Sequence, residues 1–354
     1  MDLDDVLDAA GAALPNDLEV GDRTVGGSGN DRIRGTNGDD EIYADPVPTD
    51  DRGGDDQVWG LAGDDVIRAF GGDNRLDGGP GDDELITADG RDVIFGGAGD
   101  DEIQGGRETD QLYGGPGNDE IRGGEGDDTL RGGAGDDRVI GSSGNDLLFG
   151  GLGADQLEGR EGTDRFAWST AKEGRDTVLD FEAGSDGFLI GDFLRGHVSG
   201  VGELARHVRF SPTGEGGVLQ VDADGRGPGG WHDLALLPGQ GGLRAEALYL
   251  AGDLELAGQP AAPAFSSLTY IASYGDLIDA LGADTFAGKR HFIRQGYGEG
   301  RAATFDAEQY LANYADLRTA FGHDHEAAAR HFITYGYEEG RTDHPLATAT
   351  DFML

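Results

Sequence analysis

Carboxylates recur at every ninth residue through much of the first half of the chain. Aligned on Asp128, this spacing gives fifteen copies, of which fourteen carry aspartate and one carries Asn74. Glycine stands two residues before every copy except one, where Glu108 is found. Carboxylate oxygens in flexible turns are ligands that hard divalent cations prefer. The aspartates, which are the candidate metal ligands, are Asp31, Asp40, Asp56, Asp65, Asp83, Asp92, Asp101, Asp110, Asp119, Asp128, Asp137, Asp146, Asp155 and Asp164.

The residues around each aspartate predict how the carboxylates are positioned. An apolar residue stands two positions after each copy. This pattern predicts a strand of about three residues that buries one side chain and turns its neighbours outward. The remaining residues of each nonapeptide must reverse the chain, and glycine tolerates the positive φ angles of such tight turns. Each nonapeptide would form half a coil, so copies two nonapeptides apart would stack as parallel strands in a long array.

Stacking would bring the aspartates of successive coils to about 5 Å from one another, where like charges repel. A cation between the coils would turn this repulsion into ligation. Carboxylate and carbonyl oxygens in flexible loops suit Ca²⁺ better than Mg²⁺. A metal-free array of glycine-rich loops is the alternative. The turn glycines predicted to contribute to the calcium sites are Gly79, Gly81, Gly97, Gly99, Gly115, Gly117, Gly124, Gly126, Gly133, Gly135, Gly144, Gly151 and Gly153.

The segments GGPGNDEIR, GGEGDDTLR and GGAGDDRVI resemble the GGxGxDxUx repeat of the RTX, or hemolysin-type calcium-binding, family. The resemblance covers about residues 26–167. It implies a calcium-bound parallel β-roll, which we place at residues 21–167, export by the type I secretion machinery and folding outside the cell. We expect about ten Ca²⁺ ions. In millimolar calcium, a site with a Kd of ~10⁻⁴ M contributes ~1.4 kcal/mol, whereas at cytosolic calcium the contribution is near zero. Calcium binding and folding are therefore expected to be one process.

The repeats divide between two edges of the expected roll. The first edge carries Asp40, Asp65, Asp83, Asp101, Asp119, Asp137 and Asp155, and its Gly-Gly pairs are complete from Asp83 onward. The second edge carries the other copies, and its pairs are interrupted at Asp51-Arg52, Ala69-Phe70, Thr87-Ala88, Ser142 and Arg160. We expect fuller calcium occupancy on the first edge and gaps on the second edge near Asn74 and Asp92.

Composition limits the classes of function. Lys and Arg total 27 and Asp and Glu total 69, which gives a net charge of −42 and argues against nucleic acid and anionic membranes as partners. There is no cysteine, no apolar run long enough to span a bilayer, and no HExxH, GxSxG or P-loop motif. The sequence therefore predicts neither a thiolate metal site nor an enzyme. Residues 1–20 predict an N-terminal amphipathic helix rather than a secretory signal peptide.

Residues 168–258 lose the nine-residue period and predict a β-rich cap. The segments DTVLDFEAGSD and VDADG are similar to the target region that follows RTX arrays in type I secreted proteins. ALYLAGDLEL is predicted to be a strand as well. Acidic residues in this region could hold a further ion, although solvated turn carboxylates are favoured: Asp176, Asp180, Asp186, Asp222 and Asp224.

A linker at residues 259–267 precedes two 40-residue repeats at 268–345 and a tail at 346–354. The repeats are similar to short "HF..GY.EGR" repeats of bacterial secreted and envelope proteins, and their pattern predicts two helices each, closed by a Gly-Tyr turn. Core and capping roles are favoured for their aromatic and basic residues. The sharper alternative is a site for a sugar or a surface partner, formed by Tyr297, Arg301, Tyr337 and Arg341.

The predicted fold class is mainly β: a parallel β-roll, a β-rich cap and a small α-helical repeat domain. The predicted function is that of a secreted or cell-surface calcium-binding protein with a structural or adhesive role of matrix or surface-layer type. The alternatives are a module that binds a glycan or partner through the helical repeats, and the export portion of a secreted hydrolase. Candidate partners besides the secretion machinery are further copies of the chain, a cell-surface glycan and a matrix polysaccharide.

Overall fold

The structure is a computed structural model that describes residues 18–19, 23–27, 29–45, 53–191, 194, 198, 201–225, 230–256, 265–297, 299–337, 339, 341 and 343. It divides into a first unit, residues 1–241 with 255–259, and a second unit, residues 242–254 with 260–354. Most of the predicted N-terminal helix and linker, and all of the predicted tail, lie outside the described residues. Within those residues, no helix is both long and apolar enough to cross a membrane.

The first unit is a parallel β-solenoid of about seven turns, as the nine-residue period predicts, and the chain as a whole is mainly β with 21% helix. The strands of its 11-stranded sheet are, in order, β1 (Leu18–Glu19), β3 (Arg32–Arg34), β5 (Gln57–Trp59), β7 (Arg75–Pro80), β9 (Val93–Ala98), β11 (Gln111–Pro116), β13 (Thr129–Ala134), β15 (Leu147–Leu152), β17 (Arg165–Trp168), β19 (Gly187–Ile190) and β23 (Leu254–Leu256).

The opposite, 12-stranded sheet is parallel over most of its width and ends in an antiparallel segment. Its strands are, in order, β2 (Arg23–Val25), β4 (Glu41–Tyr43), β6 (Val66–Ala69), β8 (Glu84–Thr87), β10 (Glu102–Arg107), β12 (Glu120–Glu125), β14 (Arg138–Ser143), β16 (Gln156–Glu161), β18 (Asp176–Val178), β22 (Trp231–Pro238), β21 (Gly216–Asp222) and β20 (Val208–Pro212). The strands β22, β21 and β20 pair antiparallel.

The register confirms that each nonapeptide is half a coil. Leu112 pairs with Leu130, and Leu130 pairs with Leu148, so neighbouring strands lie two nonapeptides apart in the sequence. The central strands have six residues rather than the expected three, because pairing continues through the glycines, as it does between Gly115 and Gly133. The glycine pairs are therefore part of the sheets as well as of the turns.

Each repeat strand contributes an apolar side chain to the core at the same position, as alternation along the strand predicts. The residue two positions after each ladder aspartate is at most 1% exposed in every copy, from Ile33 to Phe166. At the end of the roll, Phe181 stacks on Phe188 with ring centroids 4.4 Å apart, and Phe166 packs against both rings. These aromatic rings bury the last coil, where no further repeat can cover it.

One predicted strand in the cap region is wrong. ALYL lies in a helix, α2 (Ala245–Ala251), and only Leu254–Leu256 is extended. The run AEALYLA combines good helix formers with buried positions, and Gly252 ends the helix in the left-handed conformation with φ +82°. A short helix that precedes it, α1 (Val201–Leu204), belongs to the first unit.

The second unit contains the two helical repeats, and each has three short helices rather than the expected two. Tyr274 and Tyr314 are extended and divide what was expected to be one helix. The third helix of each repeat continues into a π-helical turn, Phe292–Gly296 or Phe332–Gly336. The helices are α3 (Ser267–Ala272), α4 (Gly275–Leu281), α5 (Thr285–His291), α6 (Ala307–Asn313), α7 (Ala315–Phe321) and α8 (His325–His331).

Two turn positions offer a direct test of the glycine requirement. Ser142 and Arg160 interrupt glycine pairs and have φ of +90° and +72°, a region that costs a residue with a Cβ roughly 1–2 kcal/mol. Ser142→Gly and Arg160→Gly should each raise the free energy of unfolding in calcium by about 1 kcal/mol. Urea denaturation measures this, with Ser143→Gly as the control that should be destabilising or neutral. Destabilisation by both turn substitutions would contradict the backbone account.

Candidate metal centre

The structure places the repeat aspartates in the turns at two edges of the roll, and nearly all of them are buried. Every ladder aspartate from Asp40 to Asp164 is at most 3% exposed, whereas Asp31, in the first coil described, is partly exposed. The aspartates that directly precede strands of the 12-stranded sheet form the first edge. Those that directly precede strands of the 11-stranded sheet form the second edge. The sequence predicted this division.

Each edge is held by an inner ladder of hydrogen bonds that joins successive coils. The backbone N–H of one aspartate donates to Oδ1 of the aspartate one coil later. The N···O distances are 2.9 Å from Asp83 to Asp101, 2.9 Å from Asp101 to Asp119 and 2.8 Å from Asp119 to Asp137. One oxygen of each carboxylate is thereby satisfied, and the carboxylates are aligned along the roll.

The second oxygen of these carboxylates is buried and has no hydrogen-bond donor among the described residues. A buried anionic oxygen without a donor is costly, because it has lost its hydration without replacement. A bound cation is the partner that such a row of oxygens lacks. The oxygens are the Oδ2 atoms of Asp56, Asp65, Asp83, Asp92, Asp101, Asp110, Asp119, Asp128, Asp137, Asp146, Asp155 and Asp164.

The first glycine of each pair forms the space in front of this oxygen. At Gly114, Oδ2 of Asp119 and the carbonyl oxygen of Gly132, one coil later, lie 2.2 and 2.6 Å from the point that a Cβ would occupy. The same arrangement occurs at Gly96 and Gly132. Any side chain at these positions would fill the place where a carboxylate oxygen and a carbonyl oxygen converge. Sequence reasoning missed these glycines as site residues, although glycine at this position recurs in most copies.

The turn glycines that the sequence did predict have a second geometric role. All of them, from Gly79 to Gly153, have φ between +112° and +147°. At each, the carbonyl oxygen of the residue one coil earlier lies within 2.1 Å of the point that a Cβ would occupy, as Gly97 O does at Gly115. The turns therefore stack so closely that carbonyl oxygens accumulate along each edge.

Burial raises the pKa of the ladder carboxyls. It raises the pKa of Asp119 to about 6, of Asp137 and Asp146 to about 7, and of Asp110 to about 8, against an ordinary value of 3.8. Neighbouring carboxylates raise the pKa of Asp110 further, while the backbone N–H of Asp92 opposes the shift. At neutral pH, each ladder carboxyl without a cation is therefore either protonated or a buried negative charge.

The donor set fits calcium. Within the described parts of the chain, no group of three or more His, Asp or Glu side chains converges on one point, so backbone carbonyls would supply the remaining ligands. One or two carboxylates with several carbonyl oxygens in glycine turns suit Ca²⁺. The residues that would hold the ions are the ladder aspartates with the glycine carbonyls beside them. When bound, calcium would supply the positive charge that keeps these carboxylates ionised inside the roll.

At two copies on the second edge, side chains of the chain itself donate to backbone carbonyl oxygens. Asn74 Nδ2 donates to the carbonyl oxygens of Gly71 and Gly72 at 3.3 and 2.9 Å, which occupies oxygens that a cation would need. In the turn before Asp92, the Thr87 hydroxyl donates to the carbonyl oxygen of Gly105. Both features support the expected calcium gaps near Asn74 and Asp92, which remain a prediction.

The aspartates beyond the last repeat are buried rather than solvated, contrary to expectation for three of them. Asp176, Asp186 and Asp222 are at most 5% exposed. Asp176 extends the inner ladder, since Oδ1 accepts the backbone N–H of Asp155 and Oδ2 accepts the Trp168 indole N–H at 2.7 Å. The Trp168 indole N–H thus donates to Oδ2, the oxygen that has no donor in the aspartates of the preceding coils.

Sequence reasoning did not predict a second, outer ladder of hydrogen bonds between successive coils. The residue before each ladder aspartate is Asp or Asn in most copies, and its side-chain oxygen accepts the backbone N–H one coil later. The N···O distance is 2.8 Å from Asp100 to Asp82 and 2.9 Å from Asp136 to Asn118. This ladder is exposed and runs in the opposite sense to the inner one. The recurring GDD and GND triplets are the signal that could have revealed it.

The four candidate partner-binding residues of the helical repeats occupy equivalent positions. Arg301 pairs with Asp276 at 2.9 Å and lies over the Tyr274 ring, with Cζ 4.9 Å from its centroid. Arg341 repeats this arrangement with Asp316 and Tyr314. Tyr297 packs edge-on against Phe292, and Tyr337 against Phe332. The arginines are therefore engaged inside their own repeats, and Tyr337 is 40% exposed.

Removing one ladder carboxylate should weaken calcium binding selectively. Asp119→Asn keeps an oxygen for the Asp101 N–H but removes the buried charge, so stability in millimolar calcium should fall by about 1–2 kcal/mol. Asp127→Asn removes one charge from the exposed outer ladder and should cost less than about 0.5 kcal/mol. Calcium titration and urea denaturation of both variants give the comparison. Equal losses would contradict the distinction between the ladders.

Calcium and protons should compete for the same oxygens. Because the folded carboxyls have raised pKa values, the roll without calcium should be most stable below pH 3.8 and lose stability as pH rises through 6 to 8. Because protons stabilise the folded roll without calcium while the unfolded carboxyls stay ionised, the calcium concentration at the folding midpoint should fall as pH falls from 8 to 6. Circular dichroism titrations at these pH values, with EDTA samples acidified in parallel, test both effects. A midpoint independent of pH would contradict the assignment.

Comparison with known proteins identifies the repeat. The model of the RTX calcium-binding nonapeptide repeat matches residues 22–46, 51–85, 77–112, 86–121, 104–139, 113–148 and 131–166. No curated protein sequence matches the chain. The chain is similar to the solution structure of the AlgE6R3 subunit of the Azotobacter vinelandii mannuronan C5-epimerase, at 27% identity over 47% of this chain and 83% of that chain, with a TM-score of 0.29. Residues 22–166 therefore belong to the RTX calcium-binding nonapeptide repeats.

Proposed function

We propose that this chain is a secreted RTX protein that folds outside the cell on binding about ten Ca²⁺ ions. We further propose that it serves there as a structural or adhesive protein of matrix or surface-layer type. The observation that carries the proposal is the row of buried Oδ2 atoms without donors, in a chain of net charge −42. Where calcium is scarce, repulsion between the carboxylates would keep such a chain from folding. Export through a narrow channel requires an unfolded chain.

The type I secretion machinery is the proposed exporter, on the basis of the RTX repeats. Catalysis is not part of the proposal, because the sequence contains no HExxH, GxSxG or P-loop motif and the roll carboxylates suit the role of cation ligands. The export portion of a secreted hydrolase is a further alternative. It differs from the main proposal in requiring a catalytic partner segment.

A cleft in the helical unit favours a second candidate function. It has a volume of about 370 Å³ and is lined by Leu250, Phe265, Phe292, Tyr297 and Arg301, among others. A glycan or a partner peptide that binds there would make the helical repeats the recognition module and the roll a spacer. Because the Arg301 guanidinium is already paired with Asp276, the cleft would act mainly through its aromatic walls.

A calcium titration followed by circular dichroism and light scattering tests the main proposal. At pH 8 in EDTA, we expect an expanded chain with little β-structure; millimolar calcium should produce β-structure and a smaller radius cooperatively. At higher protein concentration, scattering should then rise as folded chains assemble. Magnesium at equal concentration is the control and should be much less effective. A compact, β-rich chain in EDTA would contradict calcium-dependent folding, and folding without assembly would contradict the self-assembling structural role.

A further inference from the structure

The outward face of the 11-stranded sheet differs in charge from the rest of the molecule. Its outward side chains from β3 to β17 include five arginines and one carboxylate, Asp77, although the whole chain carries −42. The arginines are Arg32, Arg34, Arg75, Arg131 and Arg165. A cationic face on a polyanion indicates a surface that meets an anionic partner.

Aromatic residues lie among these arginines on the same face. One outward residue of each strand pairs with its counterpart in the next strand, so the side chains form a column with steps of about 4.8 Å. The column consists of Arg34, Trp59, Asp77, Phe95, Tyr113, Arg131 and Phe149. All of these side chains are exposed or half-buried.

Two of the arginines are held in place by rings rather than by carboxylates. Cζ of Arg75 lies 4.5 Å from the Phe95 ring centroid, and Cζ of Arg131 lies 3.7 Å from that of Phe149. Phe95 is itself stacked on Tyr113, with centroids 4.9 Å apart. A guanidinium that lies over a ring keeps its N–H donors in its own plane, where an oxyanion can reach them. Neither arginine forms an ion pair with any residue that the structure describes.

The 12-stranded sheet provides the contrast within the same roll. Its outward arginines are neutralised by glutamates: Arg122 pairs with Glu102 and Glu120, and Arg138 pairs with Glu120 and Glu158. Both sheets are built from the same repeat, so the repeat itself does not require unpaired arginines. The difference lies in what each face presents to solvent.

We propose that the outward face of the 11-stranded sheet binds an extended polysaccharide that carries carboxylates at intervals between neutral sugars. Arg75 and Arg131 are three coils apart, roughly 14 Å, and would each receive a carboxylate. Neutral side chains between them, Gln111, Tyr113 and Thr129, offer amide and hydroxyl groups for sugar hydroxyls. The inference deepens the proposed matrix role and rests on the calcium-folded roll.

Charge density separates this ligand from two other polyanions. Double-stranded DNA carries one charge per ~1.7 Å, so its repulsion by the acidic edges of the roll would exceed what two arginines can offset. A second copy of this chain would present acidic turn residues at nearly every coil, again in excess of the separated cations. A sparsely charged polysaccharide suits the small number and wide separation of the guanidinium groups of Arg75 and Arg131.

Isothermal titration of the calcium-loaded full chain with hyaluronan oligosaccharides tests the inference, because their carboxylates alternate with neutral sugars. The double variant Arg75→Gln/Arg131→Gln should lose about tenfold or more in affinity. The matched control, Arg122→Gln/Arg138→Gln, removes the same charge from the 12-stranded sheet and should stay within about twofold of the unmodified protein. Neutral dextran should not bind, and circular dichroism in calcium confirms that each variant is folded.

The outcomes distinguish this inference from the proposed function. Calcium-folded protein that does not bind hyaluronan, or equal losses in the two double variants, would overturn the inference and leave the proposed function standing. Stronger binding of DNA than of hyaluronan, or self-assembly lost in Arg75→Gln/Arg131→Gln without any glycan binding, would overturn it in favour of the other partner. A chain that gains no β-structure with calcium would overturn the proposed function itself.

Discussion

The structure depends on one carboxylate oxygen per half coil that is buried without a donor. Inside the roll, this oxygen must be protonated, meet a cation or remain as an uncompensated charge, and the last option costs several kcal/mol per group. Burial raises the pKa of Asp119 to about 6 and the pKa of Asp110 to about 8, so at neutral pH the ladder as a whole is protonated only in part. The folded state is thereby linked to calcium and to pH through the same atoms. In a chain of net charge −42, we propose that this linkage decides whether the polyanion can compact.

Glycine makes the linkage possible, because it permits both the turn and the close approach of successive coils. At Gly114, a side chain would fill the space shared by Asp119 Oδ2 and Gly132 O. At Gly115, a side chain would meet Gly97 O at 1.9 Å and would also be strained at φ +127°. Two neighbouring glycines thus have different functions: the first leaves room for a ligand and the second lets the backbone stack. On the second edge, Ser142 and Arg160 replace only the second glycine, whereas Ala69-Phe70 and Thr87-Ala88 replace both.

The nine-residue period was sufficient to predict the roll, its register and the aspartates at its edges, because each repeat is a local unit with an unambiguous pattern. It was not sufficient for features that depend on single atoms, such as the Asn74 amide that binds the Gly71 and Gly72 carbonyls. The prediction of a strand at ALYL was wrong because so short an apolar run fits both the alternation of a strand and the spacing of a helix. The extra helix boundary at Tyr274 depends on tertiary contacts, since the Ser273 hydroxyl accepts backbone N–H groups from Thr304 and Phe305.

The end of the roll shows what the interior coils lack. Three aspartates there have both oxygens satisfied by donors of the protein itself: Asp176 by Asp155 N–H and the Trp168 indole, Asp180 by Gly159 and Arg160 N–H, and Asp186 by Asp164 and Glu182 N–H. A carboxylate that ends the ladder therefore needs no ion, because irregular chain can supply a donor where a regular repeat cannot. Regularity removes that freedom, since every interior turn repeats the same backbone and leaves the same oxygen without a donor. The calcium requirement that we propose is thus a direct consequence of the repetition that builds the solenoid.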